Sequence, residues 1–286
     1  AAAELGYSPS ATARALSSGR SEVVLLLLPD WPIGTTVGRM LVGLSGALAS
    51  SGLTLVAHPL VKDRPASAVW RSITPAAVIT FEDLDDVETT KLRAAGIELT
   101  VTLLGDRGRP GTALIAEQRA GRLQAEHLAF TGHRRLGYAW PHDDRLLAFA
   151  EPRLEGARQA CAELGLAPPT VLTVPLDPDE AKYAVARWRE GNDPVTGVCA
   201  YDDEVAMAVL AGAHRLGLKV PHDLAVIGVD DTPIAAISRP PLTTVDTDTE
   251  ALAQFIADTV VNQLAGQPTP RRPGSNIHSV IRRKSA

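Results

Sequence analysis

The sequence predicts an α/β fold made of two doubly wound parallel-sheet halves, and three observations lead to that prediction. From residue 22 onward, short apolar runs alternate with longer amphipathic segments, as in parallel strands joined by helical crossovers. Four helical segments end in glycine, where the chain must turn left-handed before the next strand. The chain has 286 residues, of which 45% are hydrophobic, so it is long enough to bury two cores.

The apolar runs and amphipathic segments place the elements in order. The predicted strands are Val23–Leu28, Leu53–Ala57, Ala77–Thr80 and Glu98–Leu103 in the first half, and Leu136–Trp140, Thr170–Val174, Gly197–Ala200 and Leu224–Val229 in the second. The predicted helices are Thr36–Ser50, Ala66–Ser72, Val87–Ala95, Ala116–Phe130, Arg153–Leu164, Asp179–Glu190 and Glu204–Leu216. The helix-ending glycines are Gly52, Gly96, Gly165 and Gly217, and a glycine-rich loop at Leu104–Gly111 separates the halves.

Charge and cysteine content restrict the classes of partner. A net charge of -5 gives no overall basic field, so any nucleic-acid contact must come from a short local segment. Cys161 and Cys199 are the only cysteines, which favours a reducing cytoplasm over an oxidised secreted scaffold. The longest apolar run, Val23–Leu28, is too short to span a bilayer, and no secretion signal precedes it. We therefore expect a cytoplasmic protein with no membrane partner.

Motifs for catalysis are missing from the sequence. It contains no glycine-rich nucleotide loop, no Gly-x-Ser-x-Gly elbow and no pair of histidines at metal-ligand spacing on a helix. We expect no enzyme activity, no metal and no cofactor.

The segment before residue 22 has the composition of a short, marginal, alanine-rich helix. Ala13 and its small neighbours permit close approach to a narrow groove, Leu16 is an apolar wedge, and Arg14 is suited to a phosphate. The same residues also suit a plain linker helix whose leucine packs on the body. Composition alone leaves both interpretations open.

A family resemblance decides between them. Glu4-Leu5-Gly6-Tyr7-Ser8-Pro9-Ser10 and Ala13-Arg14-Ala15-Leu16 resemble the end of the helix-turn-helix and the hinge helix of LacI/GalR repressors. Similar motifs follow along the whole chain, at Gly132-His133-Arg134-Arg135, Arg153-Leu154-Glu155-Gly156, Tyr201-Asp202-Asp203, Val220-Pro221, Gly228-Val229-Asp230-Asp231 and Pro240-Pro241-Leu242-Thr243-Thr244-Val245. The resemblance implies two periplasmic-binding-protein-like subdomains with three crossovers and an effector between them.

The resemblance also implies DNA contacts and a division into domains. Leu16 would insert into the operator minor groove, with Tyr7, Ala13 and Arg14 beside it, although Ser10 stands where the family usually has asparagine. We expect residues 1–21 to be the end of a DNA-binding head, most of which is missing, and the hinge. Residues 22–131 with 247–277 would form one subdomain, and 132–246 with 278–286 the other.

Acidic side chains follow two predicted strands of the second half. Asp202 follows Gly197–Ala200 and Asp230 follows Leu224–Val229, and open α/β sheets bind ligands beyond the carboxyl ends of their strands. Carboxylates there accept hydrogen bonds from hydroxyls, and Arg153 can donate to oxygens. We expect these three residues to contact a sugar or related polar effector, and Asp203 and Asp231 to cap the helices that follow. Asp202 replaces the asparagine common in the family, which removes a donor and adds a charge.

Three further residues are candidates for the effector site. Trp31 and Phe81 lie just past predicted strand ends, where a flat ring can stack on a sugar or base, although core packing explains each equally well. Thr247 lies at a crossover and could line the site or cap a turn. Trp140 is better explained by core packing.

The predicted function is a ligand-responsive transcriptional repressor. It would act as a homodimer on operator DNA, with the effector setting the angle between the two subdomains, and Met40, Leu41, Leu44 and Leu48 could supply part of a dimer face. The alternative is a solute-binding protein that feeds a transporter, since the same architecture serves both.

Overall fold

A computed structural model of the chain describes residues 21–60, 67–104, 117–271 and 277–286. These residues form two compact units. The first takes its described residues from within 21–32, 40–104 and 252–271, and the second from 33–39, 117–251 and 277–286.

The first unit is built on a four-stranded parallel sheet in the order β2-β1-β3-β4. Its elements are β1 (Val23–Leu28), α1 (Thr35–Ala49) from Met40 onward, β2 (Thr54–Pro59), α2 (Ser67–Ile73), β3 (Ala77–Thr80), α3 (Asp86–Ala94) and β4 (Leu99–Thr102), and most of α9 (Thr249–Leu264) also belongs to it.

Burial explains the central strands of this sheet. Five of the six residues of β1 and all four of β3 are buried, as expected of parallel strands covered on both faces. Trp70 of α2 and Leu92 of α3 pack on these strands from outside the sheet. Apolar runs with no polar alternation therefore form the centre of the sheet.

The second unit holds a six-stranded sheet in the order β10-β9-β8-β7-β5-β6, in which β10 alone runs antiparallel to its neighbour. Its elements are α4 (Glu117–Phe130), β5 (Leu136–Pro141), α5 (Leu147–Glu163), β6 (Thr170–Val174), α6 (Pro178–Trp188), β7 (Gly197–Ala200), α7 (Asp203–Arg215), β8 (Ala225–Val229), α8 (Pro233–Ile237), β9 (Thr243–Thr247) and β10 (His278–Ile281).

Helices α4 and α5 pack with their backbones in contact. A Cβ on Gly121 would overlap the carbonyl oxygen of Arg153, and a Cβ on Gly156 would overlap that of Gln118. Each glycine thus lies against the backbone of the other helix. Because neither glycine carries a side chain, the two helix backbones can come into contact, and this contact sets the separation of the helices.

The parallel α/β fold is confirmed, and the predicted strands are found within a few residues of their expected bounds. All four predicted helix-ending glycines have positive φ. Helix α5 begins at Leu147, earlier than expected, because Pro152 lies inside the helix and does not start it. Strand β9, helix α9 and strand β10 were not predicted.

The division into units differs from the predicted domains at helix α4. This helix belongs to the second unit, because it packs on α5 and its Gln124 bonds to the ends of two strands of the six-stranded sheet. Nearly all of the predicted loop at Leu104–Gly111 lies outside the described residues.

Candidate functional site

The two predicted aspartates lie at the carboxyl edge of the six-stranded sheet. Strand β7 ends at Ala200 and its parallel neighbour β8 at Val229, so Asp202 and Asp230 follow adjacent strand ends. Asp230 has a φ of 104°, a conformation rare in non-glycine residues and concentrated at functional sites.

Arg153 of α5 is buried at this edge and is held from several sides. Its Nε donates to the carboxylate of Glu117, and its Nη1 donates to the carbonyl oxygen of Tyr201 over 2.7 Å. Its Nη2 lies 3.7 Å from Oδ1 of Asp230, and its Cζ is 4.9 Å from the centroid of the Tyr201 ring. Burial by itself lowers the pKa of Arg153, but the charges of Glu117 and Asp230 outweigh it and raise the pKa, so the guanidinium is charged.

The Glu117 carboxylate was missed by sequence reasoning. It is in the first turn of α4, where acidic residues commonly offset the helix dipole, so its position gave no sign of a partner. Only 7% of its side chain and 7% of that of Arg153 are exposed, which makes this ion pair part of the interior.

Asp203 was predicted to cap the helix that follows, but Asp202 is the residue that caps it. Asp202 is the N-cap of α7, and its Oδ1 accepts from the Val205 N–H over 2.7 Å. Asp203 does not cap, because the helix already begins at this residue. It is fully buried and accepts bonds from Thr244 Oγ1 over 2.6 Å and from the N–H and hydroxyl of Thr232 over 2.7 and 2.9 Å.

Both carboxyl groups titrate above the ordinary range. Burial raises the pKa of Asp202 to about 7, with Asp230 adding to the effect. Burial likewise raises the pKa of Asp203 to about 6, although its threonine donors oppose the shift. Burial raises the pKa of Asp230, which the charge of Arg153 opposes.

The predicted capping role of Asp231 is also wrong. Its Oδ1 accepts from Arg283 Nη2 over 2.6 Å, and the cap position of α8 is Thr232, whose side chain makes no capping bond. A partner 52 positions along the chain competed with the local cap.

Arg39 is a second guanidinium at this edge, and it was not predicted. Its Nη2 donates to the carbonyl oxygen of Asp230 over 2.8 Å and to Oδ1 of Asp246 over 3.3 Å. It is the only charged residue in the sequence of α1, and that isolation was the available signal.

Thr247 and His278 lie buried beside this network, opposite each other in β9 and β10. Burial, with the charges of Arg153 and Arg119, lowers the pKa of His278 to about 4. The imidazole is therefore neutral at neutral pH.

The aromatic candidates lie in the first unit. Trp31 and Phe81 follow the neighbouring strands β1 and β3, and their rings meet edge to face with centroids 4.9 Å apart. Phe81 is 1% exposed and Trp31 8%, so both contribute to packing there. Met40, Leu44 and Leu48 of α1 are core residues as well.

The remaining predictions concern a metal site, a membrane partner and DNA contacts. Within them no cluster of histidine, cysteine or acidic residues could hold a metal ion. No helix among them is long and apolar enough to cross a bilayer. The proposed DNA contacts Tyr7, Ala13, Arg14 and Leu16 lie outside the described residues.

Comparison with known proteins identifies the class. A family model described as a periplasmic binding protein-like domain matches residues 125–286, more than half of the chain. The chain therefore belongs to this family. The predicted resemblance to LacI/GalR regulators is confirmed by relatives that are named as transcriptional regulators and repressors.

The similar proteins are regulators. The transcriptional regulator GalR of Escherichia coli is 27% identical over 98% of this chain and 83% of its own length. The regulator MalR of Streptomyces coelicolor is 33% identical over 54% of this chain and 45% of its own length. The names of these relatives favour a regulator over a solute-binding protein.

Solved structures show the same fold. The regulator CelR in complex with cellobiose superposes with a TM-score of 0.77 at 23% identity, covering 100% of this chain and 88% of that one. The lac repressor bound to ONPG gives 0.78 at 20% identity, with the same coverage of both chains.

Proposed function

We propose that this chain is the effector-binding part of a DNA-binding transcriptional repressor, and that a small polar effector binds at the carboxyl edge of the six-stranded sheet. The observation that carries the proposal is Arg153, a buried guanidinium held between Glu117, the Tyr201 carbonyl and Asp230. A buried ion pair adds little to stability by itself, and strongly perturbed titratable groups cluster at functional sites, so this arrangement supports a binding role.

The effector is a sugar or a related polyhydroxylated molecule. Asp230 and Asp202 supply carboxylate oxygens that accept from hydroxyls, and Arg153 supplies donors for ring or hydroxyl oxygens. Similar proteins carry names that agree, namely a CelR–cellobiose complex and a ribose operon repressor. Thr247 of the same sheet is proposed as a further contact. Contact of Trp31 and Phe81 with the effector stays a prediction from the sequence.

The intact protein is proposed to be a cytoplasmic homodimer. Tyr7, Ala13, Arg14 and Leu16 are its proposed contacts with operator DNA. Differential affinity of the effector for two arrangements of the protein would supply the switch. A monomeric mass in solution at micromolar concentration would contradict the dimer.

A thermal-shift screen tests the effector site. The wild-type chain is heated with sugars, nucleosides and their phosphates, and the active ligands are then titrated into Arg153→Ala and Asp230→Ala. We expect each variant to lose about thirtyfold or more in affinity, because truncation leaves its charged partner buried and unpaired.

Two exposed residues of the same unit provide matched controls. Arg187 and Asp193 have side chains that are 73% and 83% exposed, so Arg187→Ala and Asp193→Ala remove the same groups away from the site. Each variant is compared with its own ligand-free midpoint. Equal ligand responses from the site variants and the controls would disprove the site.

A further inference from the structure

The positive charge of Arg153 is balanced by partners within the protein. Glu117 bonds to Nε, the Tyr201 carbonyl occupies Nη1, and Asp230 lies 3.7 Å from Nη2. One face of the guanidinium also lies over the Tyr201 ring. An arginine that binds a phosphate or carboxylate commonly uses two parallel N–H donors for it. This one presents little uncompensated charge.

The surroundings carry more negative than positive charge. Among the described residues, five carboxylates lie around Arg153 and Asp230 together with three guanidinium groups, namely Glu117, Asp202, Asp203, Asp230 and Asp246 with Arg39, Arg119 and Arg153. Protonation of both Asp202 and Asp203 would leave three carboxylates and three guanidinium groups in this set. An anionic ligand therefore meets no net positive charge in this set at either protonation state.

The accepting groups that remain favour a ligand with hydroxyl donors. Asp230 exposes 20% of its side chain, whereas Glu117 exposes 7% and is bonded to Arg153. A hydroxyl can donate to a carboxylate, but a phosphate ester brings acceptor oxygens that a carboxylate repels. Asp230 is thus suited to contact the ligand, and Glu117 to act through Arg153.

We propose that Glu117 determines specificity at this site, by neutralising Arg153 so that the site binds an uncharged polyhydroxylated ligand and rejects its phosphate ester. The inference rests on the proposed function and adds the charge class of the effector. Glu117 is a positioning residue here, because it touches Arg153 and not the ligand.

The test uses inorganic phosphate as an anion probe and Glu117→Gln as the variant. Glutamine keeps an oxygen for Arg153 Nε but removes the charge. Unfolding midpoints are measured in phosphate and in sodium chloride at equal ionic strength. We expect no phosphate-specific stabilisation of the wild type up to the highest phosphate concentration used. Glu117→Gln should reach half-saturation at about one tenth of that concentration or less, because like-charge repulsion is relieved.

Helix α4 offers a matched control. Glu126 pairs with Arg122 and Arg119 on the same helix rather than with Arg153, so Glu126→Gln removes an equal charge without freeing Arg153 and should behave as wild type. The double variant Glu117→Gln/Arg153→Ala should lose the phosphate response. A purely structural role for Glu117 would lower stability without changing the preference for phosphate over chloride, and that result would overturn the proposal.

A second measurement needs no variant and covers the case in which Glu117→Gln does not fold. Glucose and ribose are compared with glucose 6-phosphate and ribose 5-phosphate on the wild-type chain, together with inorganic phosphate. A sugar phosphate that stabilises better than its parent sugar, or phosphate-specific stabilisation of the wild type, overturns the inference and leaves the proposed function intact. Failure of every neutral sugar, nucleoside and phosphate in the wider screen would count against the proposed function instead.

Discussion

The carboxyl edges of the two sheets differ in chemistry although the strands that build them are alike. The edge of the four-stranded sheet carries Trp31 and Phe81, packed edge to face. The edge of the six-stranded sheet carries a network of ion pairs centred on Arg153. The same parallel scaffold therefore gives an apolar edge in one unit and a charged, directional edge in the other, and the difference comes from residues distant in sequence.

The largest expected effect tests whether the charged edge depends on close helix packing. Gly121→Ala places a Cβ on the backbone of Arg153, so the helices must separate. We expect the unfolding midpoint to fall by about 10 °C, as overpacking of a backbone contact costs several kcal/mol. Circular dichroism melts measure it, and a ligand response weaker than wild type should accompany the loss. An unchanged midpoint would show that α4 and α5 are not in backbone contact.

A smaller effect is expected from pH at the same edge. The pKa of Asp202 is raised to about 7, so the folded state binds this proton more tightly than the unfolded state does. Its stabilising effect is complete below the unfolded pKa, near 4, and is lost as pH rises through about 7. Asp202→Asn keeps an oxygen for the Val205 N–H and does not titrate.

The midpoint of Asp202→Asn should therefore rise relative to wild type between pH 5 and pH 8, by about 5 °C at the upper end. Other titrating groups are common to both proteins and cancel in the difference. A difference that stays flat across this range would show that Asp202 titrates normally.

The smallest expected change in unfolding midpoint comes from a glycine substitution in the first unit. Gly46 lies inside α1, and a Cβ there would meet nothing within 4 Å. Gly46→Ala should raise the midpoint by about 2 °C, because alanine favours the helix by roughly 0.5–1 kcal/mol. The same substitution thus has opposite signs in the two units, and a loss of stability at Gly46 would contradict that contrast.

Local pattern predicted the strands well because buried parallel strands are continuous apolar runs. β1, β3 and β7 match their predicted bounds for this reason, and the half-buried edge strand β6 matches as well. β9 escaped prediction because its sequence, Thr-Thr-Val-Asp-Thr, has a single large apolar residue. Its buried threonines instead find hydrogen-bond partners elsewhere in the unit, such as Ala286 and Asp203.

The candidate site was predictable only in part. The rule that ligands bind at strand ends selected Asp202 and Asp230, and the family motif selected Arg153. Their partners could not be found the same way, since Glu117 is 36 positions from Arg153 and Arg39 is 191 from Asp230. The capping errors at Asp203 and Asp231 have the same origin, because tertiary partners took carboxylates that local rules assign to helix ends.

The two glycines between α4 and α5 also bear on how a ligand would be captured. Gly121 and Gly156 set the spacing of the helices that carry Glu117 and Arg153, so the ion pair is assembled by folding alone. A rigid, preassembled recognition group loses little side-chain entropy on association. Ordering of the Glu117 and Arg153 side chains should therefore add little to the entropic penalty of effector binding that calorimetry measures. The rate of the response would be limited by arrival of the ligand more than by rearrangement of Arg153.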